Sequence, residues 1–442
     1  MKSLQDGIYY TKGARPGNSI GLVFLRTKKS SKASDIGKVV TRIWTTCSNL
    51  KKGVVGDFRD THLAYPAKYN DLKVLIGYGP KIFDLNGALR KRPTMFSDSP
   101  SFEPYIGGGT VFSGSDLSYD EETSENHVEL DDIVVQFISN SAFVTNQGIV
   151  EIWRELLDIG KDNSYDVSIT KFYDGFRRED NRNWMGFHDG VSNIKYEERK
   201  DIIAINASQV KSSDIWAIGG TFMSFIRMYV DLPSWWKVKR NEQELMVGRD
   251  KLNGCPLIGV NETTKKNIVV KGCPVPGTKE VTDDGNEIYR NHPKYGLQIL
   301  PPGVTDKPLY HSHVAEARRF TRENVRQKQD YQIFRQGYEF LESGGPHRRI
   351  RAGLNFISFQ NNPLRLFNTL GNIKEIKNSD QKEIWNIKKI ENLPKFKFNS
   401  FFKVGAAGLF FVPPNDTQEI FPGASIFLTI DEMRDRSNHW KK

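Results

Sequence analysis

Ile20-Gly21-Leu22-Val23-Phe24-Leu25 is an apolar run of strand length, and the period changes directly after it. Ile36, Val39, Val40, Ile43, Trp44, Cys47 and Leu50 recur at the spacing of one helix face. Ser34 or Asp35 stands where a side-chain oxygen can cap that helix. Working outward, 72–78 and 133–138 read as further strands. Residues 145–157 return to helical spacing, with Ile149, Ile152, Trp153, Leu156 and Leu157 on one face, and 166–173 close with a strand. The order is β-α-β-β-α-β, that of a ferredoxin-like unit.

The second half repeats the plan with larger insertions. Residues 221–230 alternate as a strand should, 232–246 read as a helix after Pro233, and 332–335 and 354–360 as strands. A helix over 364–370 and a strand over 409–412 follow. The expected fold class is therefore α+β, with an N-terminal ferredoxin-like half over 1–180 and a C-terminal half over 181–442. Residues 91–132, rich in proline, glycine and serine with an acidic run, read as a long surface loop, and 253–308 read as loop too. A lysine-rich insertion over 374–397 suggests no function.

The 442 residues are 38% hydrophobic and 26% charged, the balance of a soluble globular chain with a large core. The start lacks a basic, apolar export pattern and no apolar run reaches roughly 18 residues, so the expectation is a cytoplasmic protein without a membrane partner. Cys47, Cys255 and Cys273 have no C-x-x-C spacing, which agrees with a reducing compartment. Cys255 and Cys273 each precede proline, a context also met in thiolate sites, but plain thiols explain them as well. The net charge of +10 invites a nucleic-acid reading. Its basic residues are spread along the chain, and the clusters at 318–326 and 348–351 form no recognised nucleic-acid module, so no nucleic-acid partner is expected.

Three stretches carry chemistry. Gly186-Phe187-His188-Asp189-Gly190-Val191-Ser192-Asn193 pins one carboxylate between glycines, which let backbone approach a ligand closely. The plainer reading of Asp189-Gly190 is a turn. Ser312-His313-Val314-Ala315 adds an imidazole, and Ile333-Phe334-Arg335-Gln336-Gly337-Tyr338 a cation 22 residues after His313.

Together these stretches resemble the dye-decolourising peroxidase family, haem enzymes marked by a G-x-x-D-G loop, a later histidine that ligates iron and an arginine beyond it. Trp216-Ala217-Ile218-Gly219-Gly220-Thr221-Phe222, the strand through Arg227, Val247-Gly248-Arg249, Gly353-Leu354-Asn355-Phe356-Ile357-Ser358-Phe359-Gln360 and Leu409-Phe410-Phe411-Val412-Pro413-Pro414 follow its pattern in order. The likeness is closest in the second half. It implies two ferredoxin-like halves with facing antiparallel sheets and one haem b per chain, bound in the C-terminal half. His313 would be the axial ligand of the haem iron, with His311 the rival, and Gly190 and Phe356 would line the cofactor. Arg318, Arg319 and Arg322, otherwise a solvated helix face, would pair with its propionates. Asp189 would take and return the peroxide proton, and Arg335 would stabilise charge on the departing oxygen. The implied partners are hydrogen peroxide and a small-molecule reducing substrate; homo-oligomerisation stays open. Tyr338, Trp216, Trp235 and Trp236 could relay electrons from donors too large to enter. The chain departs from the family where a carboxylate often supports the ligand histidine: Asn399 and Ser400 stand there, and no acid lies within the ten residues before Leu409. Two other classes compete with a peroxidase, a haem carrier or iron-release protein and a cofactor-free nucleic-acid binder.

Overall fold

The computed structural model describes residues 2–56, 71–97, 131–161, 167–189, 193–251, 254, 257–260, 267–269, 279–281, 287–289, 312–314, 332–344, 350–370 and 401–439. The principal strands are β1 (Ser19–Thr27), β2 (Lys73–Tyr78), β3 (Ile133–Ser139), β4 (Val167–Phe176), β5 (Thr221–Val230), β6 (Phe334–Arg335), β7 (Tyr338–Ser343), β8 (Ile350–Gln360) and β9 (Phe402–Val412). The helices that matter for the site and the core are α1 (Ala33–Lys51), α2 (Ala142–Lys161), α3 (Tyr196–Ile203), α4 (Arg240–Val247) and α5 (Leu364–Leu370).

The strands pair antiparallel in the order β6-β8-β7-β4-β1-β3-β2-β9-β5, and β8 also pairs with β5, so the order closes on itself. Within it, β4-β1-β3-β2 and β9-β5-β8-β7 share one ferredoxin-like order. The two quartets meet through single pairings, Glu339 with Phe176 and Phe411 with Tyr78. The fold is thus α+β with antiparallel sheets.

Alternation along the strands builds two cores. Leu22, Phe24, Leu75 and Val134 of the first quartet meet Met223, Phe225, Ile357, Phe359 and Phe410 of the second. Phe24 packs its ring 5.1 Å from Phe225 and 5.9 Å from Phe410, so the sheets face each other across aromatic contacts. On the opposite faces, Val23, Val74 and Val135 meet the buried stripe of α1, while Phe222, Ile226, Leu354 and Phe356 turn away from the inter-sheet core into the outer cluster that also holds Leu366 and Phe367 of α5.

Several expectations need correction. The cap of α1 is Lys32, which makes no side-chain cap hydrogen bond; Asp35 lies in the first turn and pairs with Lys38 at 2.9 Å instead. In α2, Ile149 and Ile152 are buried but Trp153 and Leu157 are 57% and 54% exposed, because the sheet meets only one edge of a broad apolar surface. The helix expected over 232–246 is two, Leu232–Trp235 and α4. The strand β7 was not anticipated. Two small hairpins, Ile258–Val260 with Asn267–Val269 and Lys279–Val281 with Glu287–Tyr289, stand where loop was expected. Most of 91–132, all of 374–397, Asn399 and Ser400 lie outside the described residues.

Candidate active site

The loop that carries Asp189 is a closed hairpin. Asn181, at φ 53, and Gly186, at φ 89, both use the left-handed region and turn the chain back, with a bridge between Arg182 and His188. The Asn183 N–H donates to Phe187 O at 2.9 Å, and the Asp189 N–H to Asn181 O at 2.9 Å. Met185 and Phe187 bury against Trp235, Val238, Met246, Val247 and Phe401, while Trp235 Nε1 donates to Met185 O at 3.1 Å. Gly186 is required twice over: its φ is left-handed, and a Cβ there would stand 2.6 Å from Lys251 Cε. The loop is therefore held from below, and Asp189 leaves it in a set direction.

That direction is towards β6 and β7. Arg335 pairs with Ser358 and Tyr338 with Asn355, so the short break between β6 and β7 keeps one register along β8. Arg335, Gly337 and Glu339 consequently share the sheet face of Ser358, Phe356 and Leu354, the face turned away from the inter-sheet core. Asp189 Oδ2 lies 3.7 Å from where a Cβ of Gly337 would stand. The carboxylate thus occupies the space over the glycine, with Arg335 two residues to one side and Glu339 two residues to the other.

Asn193 ties the loop to the arginine. Its Nδ2 donates to Arg335 O at 2.8 Å, and its Oδ1 accepts from the Arg335 N–H at 3.1 Å. Since the Gln336 N–H is used on Ile357 O, the adjacent Arg335 groups face the open edge of the strand, where the Asn193 amide takes the place of a further strand.

His313 opens a helical turn against α4. Gly248, the left-handed C-cap of α4 at φ 83, permits this approach, for a Cβ there would overlap Ser312 Oγ and stand 3.4 Å from Val314 Cβ. Burial, then the charges of Arg335 and Arg249, push the His313 imidazole down to about 4, so it is neutral at ordinary pH with a lone pair to offer. Burial and then the neighbouring Asp189 push the Glu339 carboxyl up to about 9 against the Trp184 N–H and Arg178.

The structure thus brings together His313, Arg335 and Asp189, and puts Phe356 on the same sheet face. Gly190, His311, Arg318, Arg319, Arg322, Cys255 and Cys273 lie outside the described residues. Of the four relay candidates, Trp236 is exposed, Trp216 partly buried, and Tyr338 and Trp235 fully buried. Glu339 escaped the sequence reading, as did the tie made by Asn193 and the pressure of Arg249 on His313. A neutral imidazole beside a partly buried apolar sheet face fits an iron porphyrin, because the imidazole could ligate the iron and the apolar face could pack against the ring.

Comparison with known proteins agrees. The family described as "Dyp-type peroxidase, C-terminal" matches residues 180–417. No curated protein sequence matches. Among solved structures, a DyP-type peroxidase from Cellulomonas bogoriensis superposes with a TM-score of 0.58 at 17% identity, covering 95% of each chain. DtpA from Streptomyces lividans, solved as an oxyferrous complex, gives 0.61 at 19% identity over 97% of this chain and 98% of its own. DyPB from Rhodococcus jostii RHA1 gives 0.52 at 16% identity over 90% and 94%. At such identities the superpositions speak for the fold, while the family match spans more than half of the chain: this protein belongs to the Dyp-type peroxidase family, whose members are haem oxidoreductases acting on peroxide.

Proposed function

We propose that the chain binds one haem b through His313, within a C-terminal half spanning 181–442, and reduces hydrogen peroxide at the expense of small organic donors such as dyes or phenols. The observation that carries this reading is the placement of Asp189 over Gly337, beside Arg335 on one sheet face, with the neutral imidazole of His313 within reach of Arg335's charge. Haem, when bound, would supply redox-active iron able to take electrons from a donor and pass them to peroxide, and His313 is the residue that would hold it. Asp189 accepts the proton of the peroxide oxygen that will bind and returns it to the oxygen that leaves as water. Arg335, fixed at its backbone by Asn193, holds its positive charge where negative charge develops on that leaving oxygen. The sheet face around Leu354 and Phe356 is apolar and partly buried, surroundings in which a charge counts for more than in water. Arg318, Arg319 and Arg322 are the propionate partners in this reading, with Gly190 lining the cofactor. The buried, unpaired Cys47 supports a cytoplasmic setting.

The test is the visible spectrum of haem-loaded protein before and after peroxide. A Soret band that changes with peroxide, with peroxide-dependent oxidation of an anthraquinone dye or a phenol, is expected. Haem binding without turnover would instead support a carrier. His313→Ala loses the five-coordinate ferric spectrum; if His311→Ala loses it instead, the ligand moves by two residues. Arg335→Leu keeps haem and slows the reaction with peroxide by on the order of 10²-fold.

A further inference from the structure

Glu339 has no part in the chemistry described so far, yet it is an acid at 5% exposure in the wall of the pocket. Acids are seldom buried so deeply unless they are paired or have a task. Its place follows from register: opposite Leu354 on β8, it projects from the face that carries Arg335, on the far side of the Gly337 gap that Asp189 occupies. Two residues along a strand span roughly 7 Å, so a carboxylate over Gly337 has Arg335 on one flank and Glu339 on the other. Among the described residues, three groups act on Glu339. Trp184 gives its backbone N–H to Glu339 Oε2 at 3.3 Å, Arg178 supplies the nearby positive charge, and Asp189 the negative one. Arg178 is itself engaged with Asp180 at 2.6 Å.

We propose that Asp189 and Glu339 work as a two-carboxyl pair holding one proton, with Glu339 the positioning partner that keeps the pair's charge at minus one while Asp189 faces peroxide. This rests on the reading of Asp189 as the proton acceptor. Two carboxyl groups in a site of low polarity do not both ionise; the more buried one keeps the proton. The direction found for Glu339, upward through burial and Asp189, agrees with that assignment. The proton count balances: one proton passes from peroxide to the pair, taking its charge to zero, and one passes back to the leaving oxygen, restoring minus one. Ionising Glu339 would set a second negative charge beside Asp189 and weaken the field that Arg335 offers the leaving oxygen.

The haem-free chain gives the first test. Infrared difference spectra between wild type and Glu339→Gln will show the C=O stretch of a neutral carboxylic acid at neutral pH, fading with a midpoint near 9. Asp189→Asn, which removes the neighbouring charge, will move that midpoint down without touching Glu339. Stability adds an independent sign. Between about 4.5 and about 9 the folded chain keeps a proton that the unfolded chain has released, so wild type loses stability relative to Glu339→Gln as pH rises. In haem-loaded protein, the rate with peroxide should fall on the alkaline side in wild type and keep its level in Glu339→Gln, which has the shape of the neutral acid. An acid already ionised at neutral pH, a midpoint indifferent to Asp189→Asn, or an unchanged alkaline limb in Glu339→Gln each overturns the pair. A wild type that binds haem and ignores peroxide overturns the functional reading instead, and leaves the infrared result standing.

Discussion

Asn193 holds Arg335 by the backbone, accepting from its N–H at 3.1 Å and donating to its carbonyl at 2.8 Å with the two ends of one amide. One residue thereby sets the distance between the Asp189 loop and the strand bearing the guanidinium. Asn193→Ala removes both contacts, each worth about 1 kcal/mol net. The expected outcome is a fall in stability of roughly 1–3 kcal/mol in denaturant unfolding, haem uptake retained, and a slower reaction with peroxide. Asn193→Asp keeps the acceptor but sets a second oxygen against the Arg335 carbonyl, so it should be at least as harmful as Asn193→Ala. Stopped-flow rates equal to wild type in Asn193→Ala would mean that the loop keeps its register without the amide.

Gly248 does for His313 what Asn193 does for Arg335. Ser312 lies directly against its α-carbon, and its φ of 83 belongs to the left-handed region. Gly248→Ala therefore meets two penalties: the left-handed residue costs roughly 1–2 kcal/mol, and the new methyl displaces Ser312. Haem affinity should drop, and titration of the haem-free variant with hemin against wild type measures it. Equal affinity would separate the approach at Gly248 from the placement of His313.

The first quartet was legible because each element announces its period. The strand 19–27 and the helix after it bury what their spacing predicts. Asp189 and Arg335 were legible for another reason, the glycines and spacing that a family pattern preserves. Glu339 was not. In Tyr338-Glu339-Phe340 the acid alternates with aromatic residues and reads as the solvent side of a strand; only the register with β8, set by partners some fifteen residues away, turns it into a pocket wall. Trp153 and Leu157 failed in the opposite sense. Their spacing is that of a core stripe, but helical period says nothing about how wide a surface the sheet will cover, and both lie outside it.

Cys47 offers a check on the core that is independent of haem. Its thiol is 1% exposed within the packed stripe of α1, and burial pushes it up to about 12. Because the thiolate is the nucleophile, native protein should leave Cys47 unmodified by iodoacetamide at mildly alkaline pH, with modification appearing only as denaturant opens the fold. Peptide mass spectrometry assigns the site. Rapid labelling of Cys47 without denaturant would show that α1 leaves the sheet far more readily than its buried contacts imply.

The final prediction sets Asp189 against the space it occupies. Asp189→Asn keeps the size of the side chain and cannot accept a proton, so haem should bind with a nearly unchanged resting spectrum while the reaction with peroxide slows by about 10²–10⁴-fold, the usual scale for a lost general base. Gly337→Val leaves the carboxylate in the chain but fills its place. The first added carbon would lie 3.7 Å from Asp189 Oδ2 and 3.0 Å from Leu354 Cδ1, so the two further methyl groups of valine crowd the carboxylate or the leucine. If Asp189 acts from its position over Gly337, this variant should reproduce much of the defect of Asp189→Asn, and combining the two should cost little more than either alone. Additive losses would mean that valine harms the site by another route, for instance through Leu354. A Gly337→Val protein that reacts at the native rate would show that the carboxylate works from somewhere else in the pocket, and the geometry drawn here between Arg335, Gly337 and Glu339 would no longer explain the proton transfer.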